Sequence, residues 1–365
     1  MALIDDQLEK AMDYYRDENL DEAKNIYDMI LAQDPNNQEA LDWRGEIAIQ
    51  QDDYELAAKY LQRSKDLYPA DFEENCKLGL AYYEISEAEH AVDTLFEAIS
   101  IDGTDLVSHS NLGKALYDLY AAGMQEKAQK IASIWASNFP EQPDAAHMGA
   151  AVAGFPAPER ANDAYVADVF NDFAPDFEQK LEELGYQAPE LLRNLVEEIV
   201  EPAPKSQTIL DAGCGTGLCA PLLSPWAEKL DGVDLSPGML EKAEERDQYD
   251  SLVEEELVTY LRSYLRHYDL IVAADVFCYF GDLEEAFEAA AQSLKKDGYL
   301  TFSLECEDVI NYALKPSGRY SHAHDYVINC LRKCGFDVTC VKQDILRWEY
   351  GQEVNGILVL AKKTS

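Results

Sequence analysis

A glycine-rich turn, followed 17 residues later by a carboxylate, has the residue types and spacing that could hold a nucleoside. An apolar strand is predicted to reach Asp211 and to run into Gly213, Gly215 and Gly217, where a helix begins. Glycine lacks a Cβ, so such a turn allows positive φ angles and lets a ligand approach backbone N–H groups. A second apolar strand is predicted to end at Asp234, whose carboxylate could accept hydrogen bonds from ribose hydroxyls. These features predict a nucleoside-binding α/β fold.

The spacing of the glycines distinguishes two kinds of cofactor. Dinucleotide folds prefer G-x-G-x-x-G, whereas this chain has G-x-G-x-G with an acid two residues before it. The pattern resembles the S-adenosylmethionine site of class I methyltransferases. This resemblance implies that Asp211, the three glycines and the intervening Cys214 surround the methionine part of the cofactor, and that Asp234 holds its ribose. A nicotinamide oxidoreductase is the disfavoured alternative.

Further cofactor contacts are implied by the same resemblance. Leu235 and Met239 follow the ribose acid, and Met239 would lie near the adenosine. The third strand is predicted over residues 252–257, where Glu256 and Leu257 occupy the positions that contact adenine in the family. The family more often has Asp at the first of these positions, so a solvated acidic surface run remains an open alternative for Glu256.

The remaining sheet can be predicted from apolar runs. Residues 268–276 have the composition of a central parallel strand buried on both faces, and its end places Asp275 at the cofactor cleft. A helix over 283–294 and a strand over 299–304 follow. Apolar runs at 336–345 and 354–360 predict a C-terminal antiparallel hairpin. The C-terminal half is therefore expected to be a Rossmann-like, doubly wound α/β sheet closed by that hairpin.

The first 150 residues show an internal repeat of about 34 residues, the period of tetratricopeptide units. Small residues at recurring positions would let paired helices pack closely, and a proline after each pair would end the second helix. Four units and a capping helix over 145–152 predict an N-terminal α-solenoid; an unrelated helical bundle is the alternative. The expected domains are residues 1–152, a linker with aromatic-rich lid helices over 153–204, and residues 205–365. The repeating positions are Ala11, Tyr14, Ala23, Tyr27 and Pro35; Gly45, Ala48, Ala57, Leu61 and Pro69; Gly79, Tyr82, Ala91, Leu95 and Gly103; and Gly113, Leu116, Ala128, Ala132 and Pro140.

Solenoids of this kind usually present a concave surface to a peptide, so we expect the repeats to recruit a protein partner. The inner positions are acidic, which disfavours an acidic peptide and favours a basic or amphipathic one. A merely solvated acidic surface is the alternative. The acids concerned are Glu39, Asp42, Glu46, Glu73 and Glu84.

Composition restricts the partners further. The formal net charge of −40 and the lack of a basic stripe argue against binding to nucleic acid or to anionic membranes. No metal site is expected. The N-terminus is acidic where a signal peptide would be basic, and no apolar run reaches about 18 residues, so a cytoplasmic location is expected.

Residues 165–177 concentrate four aromatic side chains just before the glycine turn. Similar segments cover the cofactor in many small-molecule methyltransferases, whereas a hydrophobic seam between domains is the slightly favoured alternative. Together with the repeats, this segment makes nearly the whole chain resemble bacterial methyltransferases that carry tetratricopeptide repeats.

The acceptor has to be inferred from the residues after Asp275. The Asn-Pro-Pro-Tyr, Pro-Cys and paired-glutamate patterns of adenine, cytosine and arginine methyltransferases are not recognisable there, which leaves a small molecule or a protein side chain. If a general base is used, His322 is the first candidate, because its ordinary pKa suits neutral pH and its segment is expected to open a helix. Tyr279 is the second. A capping or surface role is the alternative for His322, and a catalytically idle adaptor is the alternative for the whole protein.

Overall fold

The chain forms two compact units, which meet in sequence between Ala153 and Gly154. The computed structural model describes residues 2–200 and 202–364, without the side chains of residues 2 and 3. The unit boundary is one residue from the predicted end of the repeat domain. The segment expected to be a linker belongs to the second unit, because its helices pack there.

The first unit is built from antiparallel helix hairpins. Helices α3, α5 and α7 begin at residues 38, 72 and 106, so that successive starts are 34 residues apart, as the periodic sequence predicts. The side chains of Asn37, Asp71 and Asp105 accept a backbone N–H bond at the starts of these three helices. The helices of this unit are α1 (Ala2–Arg16), α2 (Leu20–Gln33), α3 (Gln38–Gln50), α4 (Tyr54–Leu67), α5 (Phe72–Glu84), α6 (Ala88–Ile101), α7 (Leu106–Ala121), α8 (Gln125–Asn138) and α9 (Pro143–Ala153).

Small residues set the spacing within these hairpins. A Cβ on Gly45 would lie 2.5 Å from Leu61 Cγ, and a Cβ on Gly79 would lie 2.6 Å from Leu95 Cγ. The same pair of positions therefore brings two helices close together in successive hairpins. Their assignment to the tetratricopeptide family stays a prediction.

The second unit is an α/β sandwich around a seven-stranded sheet of order β3-β2-β1-β4-β5-β9-β8. Strands β1 to β5 are parallel, and β9 and β8 are antiparallel to their neighbours. Its helices are α10 (Asp163–Phe173), α11 (Phe177–Glu183), α12 (Ala188–Val200), α13 (Ala220–Leu223), α14 (Pro237–Glu244), α15 (Leu257–Ser263), α16 (Glu284–Ser293) and α17 (His324–Lys333). Its strands are β1 (Gln207–Ala212), β2 (Ala227–Asp234), β3 (Ser251–Glu254), β4 (Tyr268–Ala273), β5 (Leu294–Glu305), β6 (Tyr312–Leu314), β7 (Tyr320–His322), β8 (Phe336–Glu349) and β9 (Gln352–Lys363).

Alternate residues of the central strands enter two different cores. Leu210 and Ile271 pack with apolar residues of α15, α16 and α17 on one face of the sheet. Ile209 and Leu270 pack with α12 and α13 on the other face. Burial on both faces explains why these strands read as continuous apolar runs.

The C-terminal hairpin is confirmed. Tyr350 and Gly351 join β8 to β9 with φ angles of 49° and 73°, a left-handed turn that suits the twist of paired strands. The sequence did not predict the small antiparallel sheet of β6 and β7, which lies between β5 and α17 in the chain. That sheet changes where the candidate base His322 lies.

Within residues 2–200 and 202–364, no helix combines the length and apolar character that crossing a membrane requires. The same residues contain no group of three or more His, Cys, Asp or Glu side chains arranged to hold a metal ion.

Candidate functional site

A cleft of about 920 Å³, open to solvent, lies in the second unit where β1, β2 and β4 end. Parallel strands place the loops after their carboxyl ends at one edge of the sheet, which is where α/β folds bind ligands. Eight of the residues predicted to form the site line this cleft. They are Gly213, Gly215, Asp234, Leu235, Glu256, Leu257, Asp275 and Tyr279.

The glycine turn and Asp234 are joined directly. Gly215 N donates to Asp234 Oδ2 at 2.8 Å, and Ser236 N donates to Asp234 Oδ1 at 2.9 Å. Burial raises the pKa of Asp234, whereas these backbone N–H groups act in the opposite direction. Since each carboxylate oxygen can accept more than one bond, both can still accept a hydroxyl from the cleft.

Glycine is required in the turn for two separate reasons. Gly213, Gly215 and Gly217 have φ angles of 65°, 54° and 84°, which side chains disfavour. A Cβ on Gly213 would in addition lie 2.5 Å from Val276 Cγ2, whereas a Cβ on Gly215 would meet only Phe177 Cε1, at 3.9 Å. The space between Gly215 and Phe177 is therefore a cradle that a side chain would begin to fill.

Glu256 is neither in a strand nor in a solvated surface run. Strand β3 ends at Glu254, and Glu256 caps α15 by accepting bonds from Val258 N at 3.0 Å and Thr259 N at 2.8 Å. Arg160 Nη1 also donates to it at 2.9 Å. Burial alone would raise the pKa of Glu256, but these N–H groups and Arg160 hold it below its usual value.

The aromatic-rich segment forms part of the cleft. Phe170 of α10 and Phe177 of α11 line it, and the Phe170 ring meets the Tyr279 ring edge-on with centroids 5.6 Å apart. Asn171 Oδ1 accepts a bond from Ser236 Oγ at 2.6 Å and another from Gly238 N at 3.2 Å. Helix α10 is thus bonded to the loop that follows Asp234, and both α10 and α11 border the cleft.

The ionisable lining of the cleft is predominantly acidic, with five carboxylic side chains against two guanidinium groups. Such a lining favours a ligand that carries positive charge over one that carries a pyrophosphate. The carboxylic side chains are Asp163, Asp234, Glu255, Glu256 and Asp275, and the guanidinium groups are Arg160 and Arg319.

Comparison with known proteins agrees with this geometry. A family model described as a methyltransferase domain matches residues 184–357. This part of the chain resembles a methyltransferase domain. The match supports S-adenosylmethionine as the cofactor, as the glycine spacing implied.

Relatives of known name resemble only part of the chain. The malonyl-[acyl-carrier protein] O-methyltransferase of Acetivibrio thermocellus is 31% identical over 178 residues, covering 42% of this chain and 62% of the relative. Methyltransferase-like protein 27 of Homo sapiens is 42% identical over 84 residues, covering 23% of this chain and 34% of the relative. The chain therefore matches less than two thirds of the length of these relatives.

A solved structure also resembles part of the chain. It is the magnesium protoporphyrin IX methyltransferase from Synechocystis with bound SAH, which is 18% identical with a TM-score of 0.43. The similarity covers 55% of this chain and 99% of that protein.

Four of the residues expected to contact the cofactor lie behind the cleft of the second unit. Asp211 is 1% exposed and accepts a bond from Tyr249 Oη at 2.6 Å, while burial raises its pKa to about 7. A Cβ on Gly217 would lie 2.9 Å from Arg246 Cδ. Cys214 and Met239 are buried. These residues support the turn and the following helix rather than line the cleft.

The structure does not bring His322 to the cleft. Instead of opening a helix, His322 ends β7, is 0% exposed, and its Nε2 lies 3.1 Å from Gly281 O. Burial lowers its pKa to about 4. A fully buried imidazole that does not line the cleft cannot reach an acceptor. The expectation that His322 acts as the base is therefore wrong.

Tyr279, the second candidate, lines the cleft but is unsuited to act as a general base in its deprotonated form. Burial raises its pKa above the usual value, although Arg319 acts in the opposite direction. The guanidinium carbon of Arg319 lies 5.7 Å from the centre of the Tyr279 ring. Tyr279 can therefore donate a hydrogen bond or pack against an acceptor.

A partly buried ionic cluster next to Asp275 was missed from the sequence. Asp275 Oδ2 accepts from Arg319 Nη1 at 3.2 Å and from Arg347 Nη1 at 3.4 Å, while Oδ1 accepts from Ser303 Oγ at 2.8 Å. Arg347 Nη2 donates to Glu305 Oε1 at 2.5 Å. Only pairing of β5 with the terminal hairpin brings these residues together, so no local pattern could have indicated the cluster.

Proposed function

We propose that this protein is an S-adenosylmethionine-dependent methyltransferase that acts on a small molecule or a protein side chain. The observation that carries this proposal is the bond between Gly215 N and Asp234 Oδ2 at the edge of an acidic cleft. It joins the turn that would face the methionine part of the cofactor to the acid that would hold its ribose.

The residues present fit this cofactor. Backbone N–H groups of the turn would bind its amino-acid part, Asp234 would accept its ribose hydroxyls, and Glu256 with Leu257 would border its adenine. The bound sulfonium supplies an electrophilic methyl group. The chain then has to orient the acceptor and exclude water. The apolar rings of Phe170 and Phe177, which line the cleft, favour the exclusion of water.

Calorimetric titration of the full chain tests this assignment. We expect S-adenosylmethionine and S-adenosylhomocysteine to bind with one site each, and NADH to show at least about 100-fold weaker binding, because its pyrophosphate would meet an acidic lining. Preferential binding of NADH would contradict the proposal.

We also propose that the helical unit recruits a basic or amphipathic protein segment, and that the protein is cytoplasmic. The predicted inner positions carry concentrated acid, with Lys77 Nζ shared between Glu46 at 2.9 Å and Glu73 at 3.0 Å. Burial raises the pKa of Asp42 to about 6, and the nearby Glu74 acts in the same direction. This clustering of acids makes an added positive charge favourable there.

Binding of labelled peptides to the full chain tests the recruitment. A lysine-rich amphipathic peptide should bind more tightly than its glutamate-substituted counterpart, and its affinity should fall as salt rises. The variant with Glu39→Gln and Glu73→Gln should bind it several-fold more weakly. Equal binding of the two peptides, or no effect of salt, would refute this part of the proposal.

A further inference from the structure

Arg319 places a guanidinium group in the cleft with only one of its nitrogens engaged. The side chain is 20% exposed. Its Nη1 donates to Asp275 Oδ2 at 3.2 Å and lies 3.6 Å from Glu305 Oε1. Neither Nε nor Nη2 donates to another of the described residues. Arg319 is thus held in place while it keeps donors for a ligand.

The neighbouring arginine has a different position. The side chain of Arg347 is 2% exposed, and it makes the shorter contacts, to Glu305 at 2.5 Å and Glu349 at 2.6 Å. Arg347 does not line the cleft, whereas Arg319 does. The cluster therefore contains one arginine that neutralises buried acids and one that also faces the ligand space.

His322 and the two tyrosines near Arg319 are poorly suited to remove a proton from an acceptor. His322 is sealed behind β7, and burial raises the pKa of both Tyr279 and Tyr186 above the usual value. Asp275 is already held in ion pairs with Arg319 and Arg347 and in a hydrogen bond with Ser303 Oγ. An acceptor that arrives already ionised needs no base at this position.

We infer that the acceptor is a carboxylate, held by Arg319 and converted to a methyl ester. This inference rests on the proposed methyltransferase function. A guanidinium and a carboxylate form charge-assisted bonds through matched geometry. One carboxylate oxygen forms the new bond to the methyl carbon, the carbon–sulfur bond breaks with its electron pair going to sulfur, and no proton has to be removed.

The surroundings of Arg319 indicate the rest of the acceptor. Phe170, Phe177 and Leu181 of α10 and α11 line the same cleft together with Val166. Apolar side chains in the same cleft as one guanidinium suit an acid with an apolar body rather than a strongly polar one. A fatty or aromatic carboxylic acid therefore fits this cleft.

Matched neutral and charged probes test the inference by binding. We would titrate octanoate against octanamide, and benzoate against benzamide, into the full chain with and without saturating S-adenosylhomocysteine. The acid of at least one pair should bind about 10- to 100-fold more tightly than its amide, as expected for a charge-assisted pair in a partly buried site. Arg319→Gln should reduce that preference to less than about 3-fold, and Arg319→Lys should restore part of it.

Controls separate loss of recognition from loss of folding. Arg262→Gln removes a guanidinium that pairs with Glu285 on the outside of α15 and α16, so the preference should stay intact. The thermal unfolding temperature of each variant reports the fold. Equal binding of acids and amides, or an acid preference unchanged in Arg319→Gln, overturns the inference.

A product assay gives a second, independent test. With methyl-labelled S-adenosylmethionine and the preferred acid, the label should leave the product as methanol after mild alkali, because methyl esters hydrolyse while N-, S- and C-methyl groups do not. Alkali-stable label overturns the inference but leaves the proposed function intact. Preference for acids without any binding of S-adenosylmethionine would instead overturn the proposed function and the methyl-transfer step that rests on it, and would leave only a carboxylate site at Arg319.

Discussion

Asp234→Ala should weaken S-adenosylmethionine binding by about 30- to 100-fold, which corresponds to roughly 2–3 kcal/mol for hydrogen bonds to a charged group. The substitution removes the acceptor for the ribose hydroxyls. It also leaves Gly215 N and Ser236 N without the carboxylate oxygens that they contact at 2.8 and 2.9 Å. Isothermal titration of wild type and variant measures the change.

A matched aspartate shows whether this effect belongs to the cleft. Asp250 Oδ2 accepts a backbone bond from Leu230 N of β2 at 2.8 Å, yet Asp250 does not line the cleft. Asp250→Asn should therefore bind the cofactor like wild type, and Asp234→Asn should lie between wild type and Asp234→Ala. Wild-type affinity in Asp234→Ala would remove the ribose assignment.

Gly213→Ala should lower the free energy of unfolding by about 2–4 kcal/mol, from a left-handed backbone penalty combined with overpacking. The φ angle at Gly213 is 65°, and the added Cβ would lie 2.5 Å from Val276 Cγ2. Because the turn has to shift to make room, cofactor affinity should fall at least about 10-fold as well. Chemical denaturation and cofactor titration measure the two effects.

Two companion variants separate the causes. Gly215→Ala has the same backbone penalty without the steric overlap, because the added Cβ would have Phe177 Cε1 as its nearest contact, at 3.9 Å. Its free energy of unfolding should therefore fall by only about 1–2 kcal/mol. Adding Val276→Ala to Gly213→Ala should recover the stability lost to steric overlap, whereas the loss caused by the left-handed backbone should remain. If Gly213→Ala were as stable as wild type, the structure of the turn would be wrong.

The parts of the site that were predictable are local in sequence. The glycines and Asp234 could be recognised because a strand, a tight turn and a helix start have fixed requirements that neighbouring residues reveal. The alternation of apolar runs likewise predicted the parallel strands and the terminal hairpin. Spacing alone was enough for these elements.

The repeating helices of the first unit were also predictable from spacing. Gly45 and Gly79 recur 34 residues apart, each opposite a leucine of the partner helix. The sequence therefore reveals the hairpin and its period. It does not reveal which peptide would contact the acids of that unit, because a surface acid gives the same sequence pattern whether it is solvated or binds a partner.

The acceptor end of the cleft could not be predicted, because it depends on pairing between distant segments. Asp275, Glu305 and Arg347 come together only when β5 pairs with β9 and β9 with β8. His322 was assigned to a helix start because the short strands β6 and β7 left no clear alternation in the sequence. Once paired, β7 is buried, and its histidine faces Gly281 rather than the cleft.

The most direct test of the central claim is the crystal structure of the full chain grown with S-adenosylhomocysteine. We predict that the ligand lies between the glycine turn and helices α10 and α11, with both ribose hydroxyls within hydrogen-bond distance of Asp234 and the sulfur facing the end of the cleft that holds Tyr279 and Arg319. A ligand bound elsewhere, or a ribose held without Asp234, would contradict the account.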